Sequence, residues 1–175
     1  MKATGIVRRI DDLGRIVIPK EIRRTLRIRE RDALEIFTDR DGEVILKKYS
    51  PIANLEDFAQ EYTDSLFDST GHVALITDRD AYIAVSGTGR KAFLGKSLPE
   101  EVTEAMEARK PFTSQAAGTR LPIQGFEDAN QLLVPIIHEG EVVGSVILLS
   151  KDKPLGNLEI TLCQTAADFL AKQLG

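Results

Sequence analysis

The stretch GIVRRIDDLGRIVIPKEIRRTL, residues 5–26, decides the architecture expected for the first part of the chain. Two β-rich segments, residues 4–10 and 15–18, flank Asp11-Asp12-Leu13-Gly14, a cluster typical of a turn because glycine tolerates positive φ. Pro19 ends the second segment and suits the first turn of a helix. Ile22 and Leu26 are four residues apart and form one apolar edge of a short helix. We therefore predict a strand, a turn, a second strand and a helix.

The same stretch is rich in arginine. The first 50 residues contain 13 Lys/Arg and 9 Asp/Glu, a net charge of +4, whereas the remaining residues contain 10 Lys/Arg and 18 Asp/Glu, a net charge of −8. Such asymmetry predicts two modules with different partners. Clustered guanidinium groups favour a polyanion such as the nucleic-acid backbone, because their planar fork of donors fits phosphate.

Residues 33–47 continue the first module with a predicted hairpin, in which Arg40-Asp41-Gly42 forms the turn. A unit of about 50 residues buries a poor core alone and usually needs a disulfide, a metal or a partner chain. The sequence has one cysteine, Cys163, and its histidines, His72 and His138, are far apart in the chain. We therefore expect no internal disulfide, no metal site and no cofactor, and we expect association with another chain.

The segments GIVRRIDDLGRIVIPKEIRRTL and DALEIFTDRDGEVILKKY resemble the AbrB-type swapped-hairpin DNA-binding domain of bacterial transition-state regulators. The resemblance covers residues 1–52. It implies a homodimer in which hairpins from two chains interleave into one β-rich core. It also implies that double-stranded DNA, favoured when A·T-rich and deformable, is gripped by arginines, which fall here on Arg8, Arg9, Arg15, Arg23 and Arg24.

Two residues depart from the pattern of that family. Arg27 and Arg31 stand where many members have glycine, at the end of the helix and before the third strand. Both positions often need an unusual backbone, which costs arginine more than glycine. Two interpretations of these arginines are therefore left open: an altered helix end and turn, or extra charges that extend the DNA-binding face.

Residues 53–175 predict an antiparallel sheet flanked by helices, so the whole chain is assigned to the α+β class. The expected elements are a helix over 55–67, a hairpin over 72–86, a helix over 99–109, a hairpin over 132–150 and a helix over 156–174. Pro135 indicates a strand edge or a local irregularity. The apolar stripe of helix 55–67 either pairs between chains or covers its own sheet, and the pattern leaves both open.

The segments HVALITDRDAYIAVSG and LLVPIIHEGEVVGSVILLSKD are similar to strands of GAF domains, which often sense small molecules. This implies a cavity between the sheet and residues 87–130, and whether a small-molecule effector binds there is left open. The candidate lining residues are Ser86, Thr88, Arg90, Thr113, Ser114 and Arg120. Cys163 lies on an apolar helix and is interpreted as a small core residue rather than a reactive thiol.

These features favour a regulator over an enzyme, because no recognisable catalytic motif or metal-ligand spacing occurs. The two modules together resemble a regulator of sporulation that binds double-stranded DNA with little sequence preference, as activator, repressor or both. The chain is expected to form a homodimer through residues 1–52, and a tetramer through the GAF-like domain and helix 55–67 is left open. The alternatives are an antitoxin of the same fold and a ligand-binding signalling module.

Targeting signals also bear on where the protein acts. The N-terminus lacks the pattern of a signal peptide, and no apolar stretch is long enough to span a bilayer. We therefore expect a cytoplasmic, nucleoid-associated protein with no membrane partner.

Overall fold

The computed structural model describes residues 3–175, and the chain divides into two compact units, Met1–Tyr49 and Ser50–Gly175. Ile52, which follows the first unit closely, is fully buried in the core of the second unit. The division expected from the sequence, residues 1–52 and 53–175, stays a prediction.

The first unit contains one helix, α1 (Lys20–Thr25), and one hairpin of strands β1 (Leu34–Thr38) and β2 (Val44–Lys48). The strands are antiparallel, in a register that places Leu34 opposite Lys48. The carboxylate of Asp39 accepts hydrogen bonds from the backbone amides of Asp41 and Glu43, at 3.0 and 2.9 Å, and so closes the turn between them. The predicted helix and hairpin are therefore present.

The two strands predicted at residues 4–10 and 15–18 do not form within one chain, and this part of the prediction was wrong for the single subunit. The turn between them does form, because the amide of Asp11 donates to the carbonyl of Arg15 at 3.0 Å and the amide of Gly14 donates to the carbonyl of Asp11 at 3.1 Å. A β-rich segment becomes a strand only where another strand takes up its backbone donors and acceptors. In this unit β1 and β2 pair with each other.

The first unit lacks a core of its own. Between residues 3 and 49, Pro19 is the single buried residue, and α1 buries none of its side chains. Large apolar side chains are instead exposed, among them Val7 at 84%, Leu13 at 71% and Val17 at 71%. The others are Ile6, Ile10, Ile16, Leu26, Ile36, Phe37, Val44, Leu46 and Tyr49. An exposed apolar set of this size is typical of an interaction surface.

The second unit has the predicted α+β composition. It opens with a short 3₁₀ helix, Pro51–Leu55, and a second one spans Arg90–Ala92. Its helices are α2 (Glu56–Thr70), α3 (Glu100–Glu107), α4 (Ser114–Ala117) and α5 (Asn157–Gln173). Its strands are β3 (Val73–Thr77), β4 (Tyr82–Ser86), β5 (Phe112–Thr113), β6 (Asn130–His138) and β7 (Glu141–Ser150).

The five strands form one antiparallel sheet in the order β4-β3-β7-β6-β5, with a hydrophobic core on each face. On one face, α2 and α5 pack against the sheet and bury Ala59, Leu66, Cys163 and Leu170. On the other face, α3 and residues 118–129 cover the sheet and bury Val102, Met106, Leu121 and Ile123. The sheet is therefore the middle layer of three.

Two local features shape the pairing of the strands in this sheet. A Cβ atom at Gly144 of β7 would lie 2.0 Å from the carbonyl oxygen of Thr77 in β3, so only glycine fits there. Pro135 lies in β6 beyond the short stretch that β5 covers, and the β6–β7 register shifts just after it, between Ile136 and Ile137. The irregularity predicted from Pro135 is thus present.

The helix α2 covers its own sheet, because Ala59, Thr63 and Leu66 are buried beneath it. The aromatic ring of Tyr62 packs against Phe169 of α5, with ring centroids 5.5 Å apart. Phe58 and Phe67 of α2 remain partly exposed, at 46% and 36%. Within residues 3–175, no helix is both long enough and apolar enough to cross a membrane.

Candidate nucleic-acid interface

Arg15 lies at the end of a five-residue turn that the carboxylate of Asp11 organises. One oxygen of this carboxylate, Oδ1, accepts hydrogen bonds from the backbone amides of Leu13 and Arg15, at 3.0 and 2.8 Å. The other oxygen, Oδ2, accepts from Nε of the Arg15 guanidinium at 2.7 Å. Gly14 adopts a φ of 77°, which the turn requires. Asp11 therefore fixes both the backbone of the turn and the side chain that follows it.

Hydrogen bonding lowers the pKa of the Asp11 carboxyl below its ordinary value. The backbone amide of Arg15 contributes most, followed by the Arg15 side chain, while the amide of Leu13 adds a smaller effect. Because these donors favour the charged form, Asp11 is a carboxylate at neutral pH. The Arg15 side chain is still 70% exposed, so most of its guanidinium faces solvent.

Arg8 and Arg9 precede this turn, and both are exposed. The guanidinium of Arg8 donates from Nη1 to the carbonyl of Val7 at 3.1 Å, a contact with its own chain neighbour. Arg23 and Arg24 occupy the last turn of α1, and both are exposed as well. Cations in this position interact favourably with the carbonyl groups at the end of a helix.

The end of α1 has the unusual backbone that the sequence indicated. Arg27 has a φ of 54° and Arg31 a φ of 68°, both in the left-handed region. The amide of Ile28 reaches back to the carbonyl of Arg23 at 2.7 Å, and Lys48 of β2 donates from Nζ to the carbonyl of Arg27 at 3.0 Å. These bonds satisfy carbonyls at the helix end and compensate arginine for a conformation that glycine adopts more easily.

All five predicted DNA-binding arginines thus fall on exposed positions of the first unit, within residues 8–24. The structure links Arg15 to the turn through Asp11 and places Arg23 and Arg24 together on α1. The sequence prediction did not assign a role to Asp11. The signal was available, since an aspartate three residues before a glycine is typical of a side-chain-capped turn.

Of the six residues predicted to line a cavity in the second unit, three line one cleft and the other three do not. Ser86, Thr88 and Arg90 line a cleft of about 410 Å³ together with Gln60 and Asp64 of α2, which the sequence did not indicate. The other three predicted lining residues make structural contacts instead. Thr113 caps α4, Ser114 accepts from the amide of Gln131 at 2.9 Å, and Arg120 donates to the carbonyl of Ala129 at 3.1 Å.

The cleft is polar and internally connected. Gln60 donates to the carbonyl of Val85 at 3.0 Å and accepts from Nη2 of Arg90 at 2.8 Å. Ser86 donates to the carboxylate of Asp64, and this bond is the main reason that the pKa of Asp64 lies below its usual range. A negative and a positive group therefore face the same small space.

The thiol of Cys163 lies in the core of the second unit. Burial raises the pKa of the Cys163 thiol to about 12, with a further contribution from the charge of Glu159, so the nucleophilic thiolate is disfavoured. The interpretation of Cys163 as a core residue is confirmed by its full burial. Within residues 3–175, no group of three or more His, Cys, Asp or Glu side chains is arranged to hold a metal ion.

Comparison with known families decides between the functions that this geometry allows. The model of a family described as "Stage V sporulation protein T C-terminal, transcription factor" matches residues 54–175. Stage V sporulation protein T of Bacillus subtilis (strain 168) is 57% identical over 176 residues, which cover 99% of each chain. The chain belongs to the stage V sporulation protein T family. It is therefore a transcription factor of sporulation, and the prediction that it is not an enzyme is confirmed.

The first unit has relatives of its own. The transition state regulatory protein AbrB of the same organism is 51% identical over 75 residues, which cover 43% of this chain and 77% of AbrB. A model described as "Antidote-toxin recognition MazE, bacterial antitoxin" matches residues 7–54. The first unit is therefore an AbrB-type DNA-binding domain, as the sequence indicated.

The second unit has the GAF fold. The GAF domain of an Acinetobacter phosphoenolpyruvate-protein phosphotransferase superimposes with a TM-score of 0.57 at 15% identity, covering 69% of this chain and 81% of that domain. At this identity the likeness concerns the fold alone. It confirms the predicted GAF-like antiparallel sheet with flanking helices.

The left-handed conformation of Arg31 yields a stability prediction. Replacing Arg31 with glycine should raise the free energy of unfolding by about 0.5–1 kcal/mol, because the strain of about 1–2 kcal/mol is relieved while the unfolded chain gains entropy. Urea denaturation at one fixed protein concentration measures the change.

The matched control is Arg40→Gly, since Arg40 is an exposed arginine of the same unit that lies outside the left-handed region. There glycine should lower stability by about 0.5–1 kcal/mol. Equal shifts in the same direction for both variants would show that φ at residue 31 does not set the difference.

Proposed function

We propose that this transcription factor binds double-stranded DNA as a homodimer through residues 1–52, with Arg8, Arg9, Arg15, Arg23 and Arg24 contacting the phosphate backbone. The observation that carries the proposal is that one unit combines exposed arginines with an apolar set that it cannot bury alone. We assign residues 53–175 to a second, GAF-like domain for sensing and oligomerisation. The protein acts in the cytoplasm, at the nucleoid.

The exposed apolar set supports association with a second copy. Residues 4–10 and 15–18 are rich in isoleucine and valine and flank an ordered turn, yet they form no strand in a single chain. The same segments of a second chain have matching length and pattern, so two copies can supply strand partners and apolar cover to each other. Interleaved hairpins of this kind are what the AbrB resemblance implies.

The chemistry of the arginines supports binding with little sequence preference. Phosphate contacts position a protein on the duplex without reading bases, and affinity then depends on how easily the DNA deforms. We therefore propose a preference for A·T-rich, deformable duplex. Such binding is compatible with activation and with repression.

The second unit supports a tetramer. The outer surface of α2 and α5 exposes Phe58, Phe67, Leu158 and Phe169, at 46%, 36%, 68% and 38%. These side chains are not needed for the core beneath the helices, which is already filled. We propose that this surface, including helix residues 55–67, joins two dimers.

The polar cleft of the second unit supports a small-molecule effector. Asp64 and Arg90 present opposite charges to a space of about 410 Å³, which suits a small zwitterion.

A screen of small zwitterions, in which the midpoint of DNA binding is measured with each compound, tests whether the cleft binds an effector. Arg90→Ala should abolish the response to any compound that shifts the midpoint, and identical binding in every case would rule out coupling.

An antitoxin remains the alternative because the MazE family model matches residues 7–54. The match covers the DNA-binding unit. The rest of the chain is a folded domain with two hydrophobic cores, whereas antitoxins of this type usually carry a short flexible tail. The regulator is therefore the better supported proposal.

DNA affinity should fall steeply with salt. If four of these five arginines in each chain each neutralise a phosphate, a dimer neutralises about eight phosphates, and log K should fall with log salt at a slope of about −7. Arg23→Ala removes two contacts from a dimer and should reduce the slope by about 2. Fluorescence anisotropy on an A·T-rich duplex measures both, with a G·C-rich duplex of equal length for comparison.

Arg40→Ala is the matched control for this titration, because Arg40 is an equally exposed arginine of the same unit outside the proposed set. It should leave the slope close to that of the unchanged protein. A flat salt dependence, or equal losses for Arg23→Ala and Arg40→Ala, would contradict the assigned contacts.

The assembly state should depend on α2. Light scattering should give about four times the chain mass of 19.3 kDa for the unchanged protein, and about twice that mass for Phe58→Asp, because a charge cannot be buried between the dimers. A dimer mass for the unchanged protein would refute the tetramer.

A further inference from the structure

We propose that Asp11 is a positioning residue for DNA binding: its carboxylate holds the Arg15 guanidinium by the Nε edge and so presents the remaining donors to a phosphate. The inference rests on the proposed role of Arg15 and adds a residue whose charge has the wrong sign for contact with DNA. Asp11 acts through Arg15 and does not itself touch the phosphate.

The geometry of the contact carries this inference. The bond of 2.7 Å joins Oδ2 of Asp11 to Nε of Arg15, which is the nitrogen nearest the aliphatic stem. A guanidinium has five N–H donors in one plane, and phosphate is bound by a pair of them. A bond at Nε uses one of the five donors and restrains the side chain, and the N–H donors of the terminal amino groups, Nη1 and Nη2, are left for phosphate.

The same carboxylate ties this side chain to a rigid backbone. Oδ1 accepts from the amides of Leu13 and Arg15, at 3.0 and 2.8 Å, so Asp11 cannot rotate without breaking the turn. Arginine loses considerable rotamer entropy when a ligand immobilises it. A guanidinium that is already held before DNA binds loses less rotamer entropy on binding, so its contact with phosphate is stronger.

Two effects of Asp11 on DNA binding therefore have opposite signs. Its negative charge repels phosphate, so removing the charge alone would tighten binding. Its hold on Arg15 preorganises a cation, so removing the hold would weaken binding. The two effects can be separated because Asp12 is an exposed carboxylate of the same turn that makes none of the three bonds of Asp11.

The experiment uses the full chain and compares Asp11→Asn with Asp12→Asn. Asparagine keeps Oδ1 as an acceptor for the two backbone amides, but the NH₂ group that replaces Oδ2 is a donor and cannot accept from Nε of Arg15. Asp11→Asn should weaken binding to an A·T-rich duplex about tenfold for a dimer and shrink the salt slope towards that of Arg15→Ala. Asp12→Asn removes the same charge and should leave binding unchanged or slightly tighter.

A double-mutant cycle separates failure of this inference from failure of the proposed function. In the Arg15→Ala background, Asp11→Asn should no longer weaken binding, because nothing is left to position. If Asp11→Asn tightens binding as Asp12→Asn does, the positioning role is refuted while Arg15 keeps its own. If Arg15→Ala itself leaves affinity and salt slope unchanged, the proposed contact of Arg15 fails first.

Amide NMR signals of Leu13 and Arg15 show whether the turn survives in Asp11→Asn. With the turn retained and affinity lost, the effect lies in the Arg15 side chain, as proposed. With the turn retained and affinity unchanged, the contact to Nε does not matter and the positioning role is refuted.

Discussion

The structure depends on one constraint, which is that the first 49 residues cannot bury their own apolar side chains. A unit this small has too little interior, and here Val7, Leu13 and Val17 lie on its surface beside the arginines. Burying such side chains stabilises a protein by about 25 cal/mol per Å² of apolar area. We propose that the free energy that folds this unit comes from association with a second copy, which would link DNA binding to assembly.

The second unit has the opposite character. Its sheet is covered on both faces, and close contacts such as that of Gly144 with Thr77 define a single register. It folds around its own interior and offers a stable body to which the first unit is joined in sequence. The helix α2 begins seven residues after Tyr49, so any change at the polar cleft beside α2 acts on an element close to the DNA-binding unit along the chain. This arrangement suits a regulator that couples a sensed signal to its grip on DNA.

Much of this could be predicted from the sequence because the signals are local. The helix at Lys20–Thr25 and the hairpins follow from residue pattern, whereas the left-handed backbone at Arg27 and Arg31 was indicated only by the family's glycines at those positions. The strands predicted at 4–10 and 15–18 do not form in one chain. A β-rich segment becomes a strand only when another strand pairs with it, and the segment's own sequence does not show where that second strand lies. The elements β5 and α4 were missed because each is very short and is held by long-range contacts, such as that between Ser114 and Gln131. The hydrogen bond between Asp11 and Arg15 was missed because a count of net charge treats Asp11 only as one negative charge among the arginines.

Contact between two chains within the first unit is the central claim, and a mixed-label NMR experiment tests it most directly. Chains with ¹³C-labelled methyl groups are unfolded and refolded with unlabelled chains, and a filtered NOE spectrum then reports only contacts between different chains. The account predicts strong inter-chain signals from the methyl groups of Val7, Ile16 and Val17. If those methyl groups give no inter-chain NOEs, while the protein still binds DNA, the intertwined dimer is wrong.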